Sequence, residues 1–185
     1  MMTRLLVLLF LAFSSCTVLK NGTSYFGEDR IFGKHFNRTF KTEYREVGYR
    51  ESAVELGIAI KPNKDGRIKG IRIKNPTKGY VRLSIWDTDT RELIKSMNVN
   101  ISDTVDYNLF YIQMPLVANK TYTISINVLK YYYYKLPFNP LPLHSNDVSL
   151  LYSVYEETPH QRFPGQNVAS VYHGIIDIDA EFKTQ

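Results

Sequence analysis

Cysteine is nearly missing from this 185-residue chain: Cys16 is the only one, so no intrachain disulfide can form. A small module stapled by disulfides is therefore excluded, and stability must come from packing. Histidine is scarce too, and His35, His144, His160 and His173 do not stand at metal-ligand spacing from one another. The His-Glu-x-x-His pair of zinc peptidases, the Gly-x-Ser-x-Gly elbow of serine hydrolases and a glycine-rich phosphate loop are all lacking. The reading is accordingly no enzyme, no catalytic residue, no metal and no cofactor. Apolar runs stay well short of the ~20 residues that a membrane-spanning helix needs. Charge of one sign is not in large excess either, at +5 overall. The cations Lys61, Lys64, Arg67, Lys69, Arg72, Lys74 and Lys78 alternate with apolar residues as on solvated strand faces, which argues against a nucleic-acid partner.

The longest apolar run lies at the N-terminus. Arg4 precedes Leu5 to Phe13, then Ser14, Ser15 and Cys16. That is the length and order of a secretory signal peptide, with a basic start, a short apolar segment and small residues before cleavage. Leu11-Ala12-Phe13-Ser14-Ser15-Cys16 resembles the lipobox of bacterial lipoproteins, which implies diacylation of the Cys16 thiol and an anchor of two or three chains. Residues 1–15 are thus expected to be a lipoprotein signal peptide, and 16–30 the lipidated N-terminus and a tether without folded elements. Residues 31–185 remain for a single domain, within the size range of compact domains.

Within that domain the hydrophobic period is two. Val54, Leu56, Ile58 and Ile60 alternate with Glu55, Gly57 and Ala59; Val81, Leu83 and Ile85 alternate with Arg82 and Ser84. The pattern returns at Tyr122, Ile124, Ile126 and Val128, and at Ile176, Ile178, Ala180 and Phe182. Turn residues separate the runs at Pro62 to Gly66, Asn75 to Gly79 and Val117 to Lys120. Short alternating strands at this spacing predict an all-β fold, an antiparallel β-sandwich of jelly-roll type. Between Ile68 and Ile71 the apolar phase slips by one residue, which predicts a bulge near Gly70. The three prolines between Leu136 and Leu143 predict a loop.

Aromatic residues are the better lead to function. Alternation turns Tyr80 and Trp86 away from Val81, Leu83 and Ile85; either Trp86 offers an exposed platform to a sugar or apolar partner, or it folds over the core rim. Tyr131, Tyr132, Tyr133 and Tyr134 cannot all face one core, so two should reach a surface, either as a covered edge strand or as a ligand-facing rim. Asp87-Thr88-Asp89 reads as a hairpin turn, Asp177, Asp179 and Glu181 as a solvated strand face, and the histidines as loop or surface residues. Glu156 and Glu157 offer half of a glycosidase pair with no second carboxylate in view.

Glu55-Leu56-Gly57, Asp65 to Ile73, Leu83-Ser84-Ile85-Trp86, Glu92-Leu93-Ile94 and Pro115 to Tyr122 together resemble the bacterial domain of unknown function DUF4082, over residues 54–134. The family's Gly-Trp-Gln is replaced here around Tyr107 to Gln113. The resemblance implies a β-sandwich of the kind appended to extracellular, often carbohydrate-related proteins. The lipobox is similar to that of surface and periplasmic lipoproteins of gut-type bacteria, and Asp103-Thr104-Val105 resembles the site at which some of them carry O-glycans, which would place a glycan on Thr104. The expected protein is a non-catalytic lipoprotein of the bacterial cell envelope, periplasmic or surface-facing, held by a palmitate-type anchor. It would bind a glycan or an envelope protein. A structural or assembly lipoprotein without a small ligand is the alternative, and a glycan hydrolase the third.

Overall fold

A computed structural model describes residues 25–28, 30–34, 46–135, 141–173 and 176–184. Twelve strands carry the chain: β1 (Tyr25–Glu28), β2 (Glu46–Pro62), β3 (Gly66–Ile73), β4 (Gly79–Asp87), β5 (Leu93–Ile101), β6 (Asn108–Leu116), β7 (Tyr122–Lys135), β8 (Leu143–His144), β9 (Val148–Glu157), β10 (Gln166–Val168), β11 (Val171–Tyr172) and β12 (Ile176–Lys183). Helix is confined, among the described residues, to one turn at residues 31–34.

Two antiparallel sheets pack face to face. One has the order β1-β12-β3-β6; the other runs β10-β9-β2-β7-β4-β5, with β8 on β9 and β11 on β7. The expected alternation supplies the core from both: Val54, Leu56, Ile58 and Ile60 of β2 and Ile124 and Ile126 of β7 meet Ile68, Ile71 and Ile73 of β3 and Ile176, Ile178 and Phe182 of β12, all fully buried. Strands β1-β12-β3-β6 opposite β2-β7-β4-β5 reproduce the neighbour order of two interleaved Greek keys, the jelly roll. Strands β8 to β11 are an insertion between the last two strands of that plan, and β9 and β10 extend the second sheet beyond β2.

The bulge falls where the phase slip put it. Ile68 pairs with Ala180 and Gly70 with Asp179, so Lys69 is the extra residue that lets both Ile68 and Ile71 face inward. Asp87 closes the β4–β5 turn by accepting from the backbone N–H groups of Asp89 and Thr90.

Three expectations are corrected. Residues 25–28, placed in an unstructured tether, form β1 on the edge of β12, because four residues are too few for a period to be legible. Asp177 and Asp179 do not lie on a solvated face: both are buried under residues 30–34. Asp177 accepts from the backbone N–H groups of Phe32 at 3.0 Å and Gly33 at 2.8 Å, while Asp179 accepts from Arg30 N–H and, on its two oxygens, from Nε and Nη2 of the Arg72 guanidinium. Of the proline-rich stretch, residues 136–140 lie outside the described residues, but Leu143 and His144 form β8 on β9.

Candidate functional site

Trp86 is not a platform. Alternation does turn it to the face opposite Leu83 and Ile85, yet it is only 5% exposed, because residues 158–165 roof that face. Phe163 sets its ring edge-on to the indole at 6.0 Å, Gln161 donates to Ser84 Oγ at 3.1 Å, and Asn127 donates to the Thr158 carbonyl at 2.9 Å. Beneath this cover the indole N–H donates to Ser125 Oγ at 2.9 Å, Ser125 donates to Glu55 at 2.7 Å, and Arg82 donates to the other Glu55 oxygen at 2.9 Å. A buried carboxylate requires such partners, and this network is structural.

The four consecutive tyrosines do divide two by two. Tyr132 donates to the Thr104 carbonyl at 3.1 Å, and Tyr134 stacks on Tyr172 with 5.8 Å between centroids. Tyr131 and Tyr133 turn the other way into a cleft of about 450 Å³, which Gly48, Tyr49, Arg50, Tyr155, Val168, Val171 and His173 complete. Here the insertion meets the jelly roll. Tyr49 pairs with Lys130 and Val54 with Val128, so five steps along β2 oppose two along β7 and three extra residues leave the ladder. This excursion is anchored by the Thr158 N–H on the Ala53 carbonyl at 2.9 Å and by Ser52 Oγ on Glu157, and it lies where the ladder of β2 with β9 ends at Val54 and Glu157. Gly48 has a specific reason to lack a side chain: its Cβ would lie 2.5 Å from Cζ of Tyr131, whose ring occupies that space.

Polar groups at the cleft come from Arg50, His173 and the tyrosine hydroxyls. Arg50 is exposed and holds its guanidinium 5.7 Å from the Tyr155 ring centroid, a cation-π arrangement. His173, expected at a surface, is 5% exposed, packs edge-on to Tyr131 at 5.8 Å, and has no hydrogen-bond partner on either ring nitrogen among the described residues. Burial lowers its pKa from 6.5 to about 4, so it is neutral. An unpaired buried polar group costs roughly 1–3 kcal/mol, a cost the fold alone does not explain.

Other candidate residues stay apart. Tyr80, 78% exposed, borders a separate hollow of about 310 Å³ with Asn75, Lys78, Leu129 and Lys130. Thr104 is half-buried in a loop that Asp103 closes by accepting from the Val105 and Asp106 N–H groups. Glu157 accepts from Ser52 and Tyr155, and Glu156 from the Gly165 N–H, so neither carboxylate lines the cleft. His144 shares a hydrogen with Ser149 at 2.9 Å, and the backbone N–H of His160 donates to Thr158. Cys16 and His35 lie outside the described residues. No group of three metal-ligating side chains and no helix long and apolar enough to cross a membrane occurs among the described residues. Sequence reasoning missed Gly48, Tyr49, Arg50, Tyr155 and His173, because only the pairing of β2 with β7 and the insertion brings them to Tyr131 and Tyr133.

No family model matches the chain, and no curated protein is similar to it.

Proposed function

We propose that this protein is a non-catalytic lipoprotein of the bacterial cell envelope, anchored through Cys16, with a DUF4082-like sandwich that binds a glycan in the tyrosine cleft. One observation carries the binding reading: Tyr49, Tyr131, Tyr133 and Tyr155 converge with Arg50 on one concave site. Phenol rings offer apolar faces to the C–H groups of a sugar and hydroxyls to its O–H groups, and such mixed lining is characteristic of ligand clefts. Among the described residues the lining contains no carboxylate, so the acid and base of a glycosidase have no counterpart among them.

Affinity electrophoresis against a panel of soluble polysaccharides tests this with wild type and Tyr133→Ala. Retardation by at least one glycan, lost in the variant at an unchanged thermal midpoint, supports the reading; a wild-type protein that migrates freely through every gel removes it. Assembly with another envelope protein through a sheet edge is the second reading. It is favoured by β5, which ends its sheet with Leu93 and Ile94 exposed. Silence on glycans together with stoichiometric co-purification of one envelope protein, abolished by Ile94→Lys, would select it.

A further inference from the structure

Arg50 differs from most arginines of the fold. Arg67, Arg72, Arg82 and Arg162 each lie against a carboxylate, of Glu181, Asp179, Glu55 and Glu156 respectively. Arg50 forms no ion pair among the described residues, although it is exposed and could swing to one. A shallow groove holds Arg50 with Tyr49, Ser52 and two carboxylates, Glu51 and Glu157. The two oxygens of Glu157 accept from Ser52 Oγ at 3.1 Å and the Tyr155 hydroxyl at 3.3 Å. Arg50 therefore stands between a groove that holds two carboxylates and a cleft whose described lining has none.

The contact with Tyr155 matters for where the guanidinium is presented. Held 5.7 Å from the Tyr155 ring centroid and hydrogen-bonded to Tyr131 inside the cleft, its five-donor planar fork keeps further N–H groups for a carboxylate or sulfate. His173 adds no second cation because its ring is neutral, so the described lining presents one positive side chain amid four phenols.

We propose that the cleft selects an acidic glycan, holding one anionic group of the sugar on the Arg50 guanidinium while the ring packs against Tyr133 and Tyr155. This rests on the glycan reading above and narrows it to a substrate class. The charge on the ligand, rather than sugar shape alone, then decides binding.

The experiment uses polygalacturonate and its fully methyl-esterified form, which share one backbone and differ in charge, with the full chain as wild type, Arg50→Gln and Lys95→Gln. Lys95 lies on β5 at the far edge of the sheet and controls for general attraction to a basic protein. The expected result is binding of polygalacturonate that weakens roughly 10- to 100-fold on esterification and by a similar factor in Arg50→Gln, as for loss of a charge-assisted pair. Lys95→Gln should change it less than about twofold, since a charge that far from the cleft is screened by salt. Equal binding of the charged and esterified polymers, or polygalacturonate binding that Arg50→Gln leaves intact, overturns the acidic class and leaves the glycan reading standing. Binding of neutral glycans alone does the same, whereas binding of no glycan removes both.

Discussion

His173 and Asp177 are buried titratable side chains with opposite shifts. Burial holds His173 near 4 instead of 6.5, and burial raises Asp177 from 3.8 to about 6 against the pull of three backbone N–H groups and Arg30. For the histidine, the unfolded chain takes up a proton near pH 6.5 and the folded one does not, so its contribution is present above 6.5 and is lost as the pH falls to 4. For the aspartate, the folded chain takes up the proton first, so its contribution is present below 3.8 and is lost as the pH rises through 6. Between pH 4 and 6 the two proton uptakes offset each other, and the pair makes stability nearly flat. Each alone would tilt it by about 3 kcal/mol. In urea unfolding from pH 7 to 4.5, Asp177→Asn should lose stability relative to wild type on acidification, and His173→Phe should gain it. Parallel profiles for all three proteins would show that neither group carries the shift. Also at this scale, Gly48→Ala should displace the Tyr131 ring, cost about 1–3 kcal/mol in urea unfolding and weaken glycan retardation, because a methyl group cannot share the space of Cζ.

Elements in this fold are stabilised on both faces more often than their sequence suggests. Strand β4 alternates Leu83 and Ile85 with Ser84 and Trp86, yet all four are buried, since residues 158–165 close over the second face. Trp86→Ala should therefore cost about 3–5 kcal/mol by chemical denaturation, as for other buried aromatic truncations, while leaving glycan affinity intact in the folded fraction. A variant that kept its stability and lost binding would return Trp86 to the ligand site. The same two-sided burial applies to β12, where Asp177 and Asp179 clasp residues 30–34. Asp179→Ala would remove the carboxylate that accepts from Arg72 and from the Arg30 N–H. It should speed hydrogen exchange at residues 30–34 beyond its effect on the core amides.

On the scale of the whole molecule, a jelly roll supplies the core, and the cleft forms where an insertion meets its strands β2 and β7. The buried core is built from residues of β2 to β12 and the 31–34 turn among the described residues, so Cys16→Ala should unfold at the wild-type midpoint. Intact-mass analysis should nonetheless show the wild type beginning at Cys16 with added acyl chains and retained in membranes, and the variant lacking both. A wild-type chain found unacylated in the soluble fraction would sink the anchor and leave the cleft untouched.

Local pattern was sufficient to give the inward residues of β2, β3, β4, β7 and β12, the bulge beside Gly70 and the turns between strands. Each of these depends on the two-residue period of a pleated strand or on the backbone preferences of Gly, Pro, Asn and Asp within a few positions. Pattern also required Tyr131 to Tyr134 to split between two directions, but not where either pair would go. The order of strands, the roof over Trp86, the clasp on Asp177 and the meeting of Arg50, Tyr155 and His173 with Tyr131 and Tyr133 depend on contacts between residues tens of positions apart. Only the tertiary structure decided them, because whether a strand's second face meets water or another segment is a property of what the rest of the chain leaves uncovered.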